Sequence, residues 1–320
     1  MATTSCARCG TRTEAGDLRC PICAEPTLGD VGSAEVKATT LLRCTGCSAA
    51  LAHDPDTLGH ACGFCGEPLE LEQSTDPLEL VEWTLPFTVD AESARSALQA
   101  WLGDQSFFQP SDLKKTAQLD SLRPLWWVAW CFDADALMSW TADSEVGSME
   151  SDWAPHSGQV EMRFENVLVS ASRGLSNAET NELALSYDLG SKEGTPAIPD
   201  GAHREEFDVQ RSAARALVLS TLRRVGAARL ARQEVPGSRC RNLHFEPLLR
   251  ALDTQRLAFP AWVLAYKYRG ELYRVVISGQ DASCVRGKAP FSFAKLFLLI
   301  GLILGGVLVL ALFTALLSLV

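Results

Sequence analysis

The sequence predicts an α+β protein, and three observations carry that prediction. Eight of the eleven cysteines fall before residue 66, as four Cys-x-x-Cys pairs. A proline–tryptophan pattern with two-residue periodicity occurs twice, 136 residues apart, with helical patterns between the copies. The last 25 residues, Leu296–Val320, carry no charge. These features divide the chain into two N-terminal zinc ribbons (1–28 and 40–72), a duplicated α+β middle domain (73–290) and one C-terminal transmembrane helix (296–320).

The cysteine pairs come first. They are Cys6/Cys9, Cys20/Cys23, Cys44/Cys47 and Cys62/Cys65, with ten residues between the first two pairs and fourteen between the last two. A Cys-x-x-Cys turn aims two thiolates at one point about 2.3 Å away, and two such turns complete a tetrahedron. Gly10, Gly46, Gly63 and Gly66 lie beside these cysteines, where a knuckle needs a backbone free to take positive φ. Disulfides would suit a secreted chain, but residues 1–10 lack the apolar core of a signal peptide. A thioredoxin-like site needs one pair opening a helix, not four evenly deployed pairs. Iron in a rubredoxin-like site has the same ligand set. The expectation is two structural zinc ions, because four thiolates leave no open coordination position for catalysis. Each ribbon is too small to bury a core, so metal binding supplies its folding energy.

Next comes an acidic stretch. Residues 29–90 hold eleven acids and two bases, a local charge of −9, whereas 1–28 hold three of each. Most of the chain's net charge of −10 is therefore local to the second ribbon and its sequel. Such a surface repels phosphate, which argues against a general nucleic-acid binder. Arg8, Arg12 and Arg19 give the first ribbon some cationic character. Residues 67–90 read as a linker turning into a strand near Val81–Val89. Asp90 caps a helix through Leu102, with Ala94, Ala97, Leu98 and Trp101 on one side and Gly103 ending it. Ser111 caps a second short helix carrying Leu113 and Ala117.

The repeat follows. Pro124, Trp126, Ala129, Trp130 and Phe132 match Pro260, Trp262, Ala265, Tyr266 and Tyr268 in order. In each copy apolar residues alternate with period two, one face of a strand, and the leading proline fits a strand's first residue. A turn and a second strand follow each, Ala136–Trp140 in one copy and Leu272–Ser278 in the other. The aromatic face could line a ligand groove, or form core. Between the copies, Ser176 and Glu179 make a capping-box signature for a helix toward Tyr187. Val209–Arg232 is helical, with six arginines and no acid. Arg211, Arg215 and Arg229 share a sector with Val218, Leu222 and Val225, so no clean apolar face opposes a basic one. Gly226 is a point where this helix could break.

Leu296–Val320 would reach about 37 Å as a helix, enough for an ~30 Å hydrocarbon core. Arg286, Lys288 and Lys295 precede it and no base follows, which places the preceding chain in the cytoplasm, anchored by its C-terminal tail in the inner (plasma) membrane. Gly301 and Gly305 form a Gly-x-x-x-Gly that could pack a second copy of the helix.

No enzyme is expected. The five histidines form no His-Glu-x-x-His, and no phosphate loop, Rossmann glycine pattern or Gly-x-Ser-x-Gly elbow is present. Cys131, Cys240 and Cys284 stand alone and read as small hydrophobes.

Several of these elements together resemble a family of bacterial membrane proteins. They are the tandem Cys-x-x-Cys ribbons, the Pro-x-Trp strands, the run from Trp153 through Gly158 to Val167, Ala171 and Ser172, and the Tyr266-x-Tyr268-x-Gly270…Tyr273 hairpin with Ser278-Gly279-Gln280. The last is Gly287-x-x-Pro290-x-Ser292 before a hydrophobic tail. The family is that of zinc-ribbon, or transcription-factor-IIB-type zinc-ribbon, membrane proteins, some of which carry a primosomal-helicase label. This chain departs from it at Ile277-Ser-Gly-Gln, where Val-Asn-Gly-Gln is expected, and at Asp281-Ala-Ser, where Thr-Gly-Lys is expected. The resemblance implies a membrane-tethered adaptor that brings phage-shock-protein-A-like or SPFH-type proteins to the membrane in envelope stress. No Walker motif supports a helicase. From its residues the chain reads as a tail-anchored scaffold whose ribbons bind a protein partner, around His53–Gly59 of the second ribbon. A membrane-bound nucleic-acid regulator and a lipid- or ligand-binding protein are the alternatives.

Overall fold

The structure, a computed structural model, describes residues 4–13, 17, 19–26, 39–52, 61–74, 80–103, 110, 122–145, 153–194, 202–207, 211–268, 271–287, 290, 292, 295, 299 and 301–306. It is a mixed α+β protein with a sheet-rich body and two four-cysteine clusters near its N-terminus. The helix expected at Ser111, the surface at His53–Gly59 and most of Leu296–Val320 lie outside the described residues.

Two short strands, β1 (Thr4–Ser5) and β2 (Arg12–Thr13), pair in the first ribbon. The second ribbon is a three-stranded antiparallel sheet in the order β4-β3-β5, from β3 (Thr39–Cys44), β4 (Ala50–Ala52) and β5 (Leu69–Ser74). The expected linker therefore begins as a strand. Leu69–Ser74 alternates Leu and Glu, and Arg43 of β3 holds Glu72 through two hydrogen bonds of 2.7 and 3.1 Å. The strand expected over Val81–Val89 is only β6 (Trp83–Thr84). Pro86 lies just beyond it and cannot donate to a ladder.

The body runs β6, α1 (Ala91–Gly103), β7 (Arg123–Glu145), β8 (Trp153–Ser170), α2 (Asn177–Ala184), β9 (His203–Arg204) and α3 (Arg211–Arg229). A π turn, Leu230–Glu234, then leads to β10 (Cys240–Tyr268), β11 (Glu271–Ser278) and β12 (Val285–Gly287). Seven strands form one sheet, β12-β11-β10-β7-β8, with β6 parallel beside β10 and β9 parallel beside β7. Strand–helix–strand–strand thus occurs twice, and each copy's short strand pairs with the other copy's long one. The two sequence repeats are themselves neighbours. Pro124 pairs with Trp262, Leu125 with Ala261 and Trp126 with Pro260, so a local two-fold axis passes through Leu125 and Ala261.

The strands are longer than the alternation near the prolines implied. At ~3.4 Å per residue, the 23 residues of β7 span about 75 Å and the 29 of β10 about 95 Å. No turn separates Phe132 from Ala136, because Ala134, Ala136, Met138, Trp140 and Ala142 continue the buried register of one strand. Asp133, inside the segment where a turn was expected, accepts the Asn166 amide at 2.8 Å. That bond sits where β8 bulges and Asn166 takes φ 56°. The hairpin partner of β7 is β8. Pro260 is also not a strand's first residue. Its carbonyl accepts from Gly279 N at 2.9 Å, on the β11 side. Strand residues point N and O the same way, so its missing donor falls at the junction of β6 and β11 and not in the β7 ladder.

Two faces are covered differently. Trp126, Val128, Trp130 and Phe132 join a core with Ala214, Val218 and Leu222 of α3. On the same face α1 brings Ala94, Leu98 and Leu102 to Trp262 and Leu264. Asp90 starts α1 as expected, accepting Ser93 N at 2.7 Å. Gly226 does not break α3. A Cβ there would meet the Met138 methyl, so glycine lets the helix lie close on β7. The opposite face carries Leu125, Trp127, Ala129 and Cys131, packed with α2's Leu183 and with the second ribbon.

Candidate metal centres

Each four-cysteine cluster is built from two identical turns. Cys6, Cys20, Cys44 and Cys62 each donate their amide to the carbonyl five residues on, at 2.8–3.0 Å. Each also accepts, at its own carbonyl, the amide four residues on, at 2.8–3.1 Å. That fourth residue is the one forced to positive φ: Gly10 (72°), Ala24 (57°), Ser48 (62°) and Gly66 (77°). Gly10 and Gly66 thus have the role read from sequence, whereas Gly46 and Gly63 do not. Those two allow close approach instead, since a Cβ on Gly46 would press on Glu67 and one on Gly63 would lie 3.2 Å from His203.

The turns bring together all eight predicted ligands. Cys6, Cys9, Cys20 and Cys23 form one group and Cys44, Cys47, Cys62 and Cys65 the other, each with its sulfurs within 4.8 Å of one another. Measured pairs are 3.6 Å (Cys6–Cys23), 3.5 Å (Cys9–Cys20), 3.3 Å (Cys44–Cys65) and 3.7 Å (Cys47–Cys62). A tetrahedron with metal–sulfur bonds of about 2.3 Å has edges of about 3.8 Å, so both groups fit one ion each. Gly46 N lies 3.3 Å from Cys44 Sγ, a main-chain donor aimed at a sulfur. In the second group the neighbouring Cys47 and Cys62 thiols pull Cys65 down to about 2, while Cys47 and Cys65 push Cys62 up. Four sulfurs this close resist joint ionisation unless a cation offsets their charge.

The two centres are set into the body unequally. Cys44, Cys62 and Cys65 belong to the same buried cluster as Trp127, Phe259 and Ala261. Phe64, between two ligands, is fully buried over Gly174. Arg123 donates to Ala61 O at 3.0 Å, and Glu206 N donates to Ala50 O at 2.8 Å, extending the ribbon toward β9. The buried Glu205 carboxylate accepts the Arg173 and Gly174 amides at 2.9 and 3.0 Å and holds that loop under Phe64. The first ribbon lies against the helix face. Ile22 packs on its core, Thr11 donates to Arg250 O at 3.4 Å, and Asp17 meets Arg211 at 3.2 Å and Arg215 at 2.9 Å. Sequence reasoning missed Asp17, Phe64 and Glu205. Phe64 left a signal, an apolar residue inside a Cys-x-x-Cys, but Asp17 and Glu205 are ordinary acids until the fold supplies their partners.

Cys131 and Cys284 are buried in the sheet core, and burial pushes the Cys131 thiol up to about 12. Near the prolines the aromatic face is core: Trp126, Trp127, Trp130 and Phe132 are all at most 2% exposed. Tyr187 OH closes that cluster, accepting from Trp127 Nε1 at 3.2 Å and donating to Pro260 O at 2.7 Å. Gln280, from the Ser-Gly-Gln turn, ties three loops by donating to Pro86 O and Ser191 Oγ and accepting Asp188 N. A shallow groove of about 900 Å3 lies farther along the sheet, where Trp140 and Phe245 of the long strands line it together with Ser139, Gln159, His244 and Glu246. Gly301–Gly306 is helical and exposed, with open space beside Gly301 and Gly305. Among the described residues, no helix is long and apolar enough to cross a membrane.

No protein-family model matches the chain, and no curated protein or solved structure is significantly similar to it.

Proposed function

We propose that this chain is a zinc-stabilised scaffold, held at a membrane through Leu296–Val320 with its body on the cytoplasmic side, that binds a protein partner through its ribbon surface. The observation that carries this reading is the pair of four-sulfur clusters, one set into the core of the sheet and the other against its helix-covered face. Sites of this donor set are closed, so bound zinc would cross-link knuckles and supply no chemistry to a substrate. Cys6, Cys9, Cys20 and Cys23 would hold one ion, and Cys44, Cys47, Cys62 and Cys65 the other. Thiolate ligands stay reduced in cytoplasm, in agreement with the bases that precede the apolar segment.

The second ribbon offers the contact surface. Its edge strand β5 presents Leu71 at 60% exposure next to the exposed Glu70, an apolar residue in an acidic setting that suits a basic or amphipathic protein segment. Confinement to the membrane plane raises the effective concentration for such a small contact. The partner classes implied by the family resemblance, phage-shock-protein-A-like and SPFH-type, are the first to test. Nucleic acid is disfavoured by the same acidic surroundings and by Arg8, which faces Glu25 at 3.6 Å.

Because Cys44 is core, its removal would confound folding with binding. The decisive comparison is co-purification from gently solubilised membranes by wild type and by a Glu70→Lys/Leu71→Asp variant, each with and without nuclease. A protein lost only with the variant and indifferent to nuclease supports the scaffold. Equal recovery with both chains removes this surface, and nuclease-sensitive recovery moves the reading to nucleic acid.

A further inference from the structure

We infer that the two metal centres have different jobs: the first is an exchangeable site that keeps the N-terminal ribbon latched on α3, and the second is a permanent part of the sheet's core. This rests on the zinc reading above. Three observations separate the centres. The second centre has three of its four cysteines buried and shares one apolar cluster with the central strands β7 and β10, so opening it uncovers Trp127 and Phe259. In the first, Cys9 is exposed and Cys23 only half-buried, which gives a competing ligand access without opening the body. The ribbons' attachments also differ in kind. The second is held by a shared core, the Phe64 wedge and main-chain bonds. The first is held by Ile22, a hydrogen bond from Thr11 and the Asp17–Arg211–Arg215 triad.

That triad is the latch. Asp17 is 7% exposed, and the two arginines 11% and 17%, so water is largely shut out of their contact. Removing one partner of a buried ion pair is costly, because the desolvated charge it leaves loses that compensation. Asp17 lies between the first ribbon's knuckles, three residues before Cys20. Its position is therefore defined only while Cys6, Cys9, Cys20 and Cys23 hold the ribbon together. When they let go, a ribbon with no core of its own loses its fold. Asp17 then leaves, and Arg211 and Arg215 are uncovered at the start of α3. Metal loss at the first centre becomes a change of surface charge on an otherwise intact body.

The test uses the full chain in detergent micelles or nanodiscs, with zinc release to a chromogenic chelator and amide hydrogen exchange followed together. The expected result is two releases of one ion each, the first at least ~10-fold faster, because local opening is far easier than opening of core strands. After the first release, exchange should rise in residues 4–26 and at the start of α3, while β7 and β10 stay protected. Cys9→Ser should abolish only the fast release, and Cys62→Ser should lose protection across β7 and β10. Asp17→Asn should keep both ions and raise exchange in the first ribbon ~10-fold. Simultaneous release of both ions, or protection of β7 and β10 surviving Cys62→Ser, overturns the division of labour. Unchanged exchange in Asp17→Asn overturns the latch. A chain isolated without zinc overturns the zinc reading itself, a failure visible before any release is measured.

Discussion

Phe64 and Gly174 illustrate how a single contact ties metal knuckle to sheet. The ring occupies the space that any Cβ at position 174 would take, and the same loop is held by Glu205 from below. Gly174→Ala should therefore destabilise the body by about 1–3 kcal/mol, the usual cost of overpacking, seen as a lower denaturant midpoint at unchanged slope. Charged residues near this contact respond to pH in opposite senses. Burial works against the Glu179 carboxylate, yet Arg274, 2.5 Å away, outweighs it and holds its pKa below the ordinary value of 4.5. Its folded value is depressed, so its stabilisation is present above the ordinary carboxylate range and is lost as pH falls through the folded value. Glu206 is the reverse: burial raises it despite Arg204, so its contribution is complete below the ordinary value and is lost as pH rises through the raised one. The Glu179→Gln variant should show a flatter acid limb in melting temperature against pH. An unchanged limb would show that Arg274 does not hold this carboxylate.

Among the elements, helix α2 was the most legible from sequence. Ser176 accepts Glu179 N at 3.3 Å and Glu179 returns the bond to Ser176 N at 2.8 Å, the reciprocal cap that the Ser-x-x-Glu spacing implied. Ser176→Ala should cost about 1 kcal/mol, measurable by chemical unfolding. Helix α3 was legible as a helix but not in what its arginines do. Arg211 and Arg215 meet the first ribbon, Arg223 reaches Glu246 at 2.6 Å, and Arg229 lies over Phe164 and donates to Arg163 O. One helix turn cannot reveal such partners, because they come from residues some 20 to 200 positions away. The long strands were half legible. Alternation marked their proline ends, while the turn expected before Ala136 is absent because Ala134, Ala136 and Met138 keep the two-residue period. Where β10 begins, Gly237 takes φ 90° and any Cβ would strike Glu145 O. Gly237→Ala should lower stability by ~1–3 kcal/mol through strain at that crossing, read from the thermal midpoint.

For the whole molecule, the layout assigns separate consequences to its parts. The body's two faces are closed by different things, helices and the first ribbon on one, the second ribbon and α2 on the other. Prolonged chelation should therefore unfold the sheet as well as the ribbons, with near-UV circular dichroism of the buried tryptophans collapsing together with the loss of the second metal. Chelation that strips both ions and leaves that signal intact would show that the sheet stands without its ribbon. A chain truncated after Lys295 should move from the membrane pellet to the supernatant with its two metals retained, and continued pelleting would remove the anchor from the proposal.

By itself the sequence determined whatever depends on short spacings. Four Cys-x-x-Cys pairs specify which eight sulfurs gather, since three residues of chain bring two sulfurs to one point. Two-residue alternation marks strands, and Ser-x-x-Glu marks a helix start, each within one turn or a few residues. What only the tertiary structure decided is long-range. It set the two repeats side by side about Leu125 and Ala261, placed one ribbon in the core and the other on a latch, and matched Asp17 to arginines almost 200 residues away. Those choices depend on which apolar faces meet and which buried charges find partners. No local pattern encodes them, because the free energy that selects them exists only when distant segments exclude water from one another.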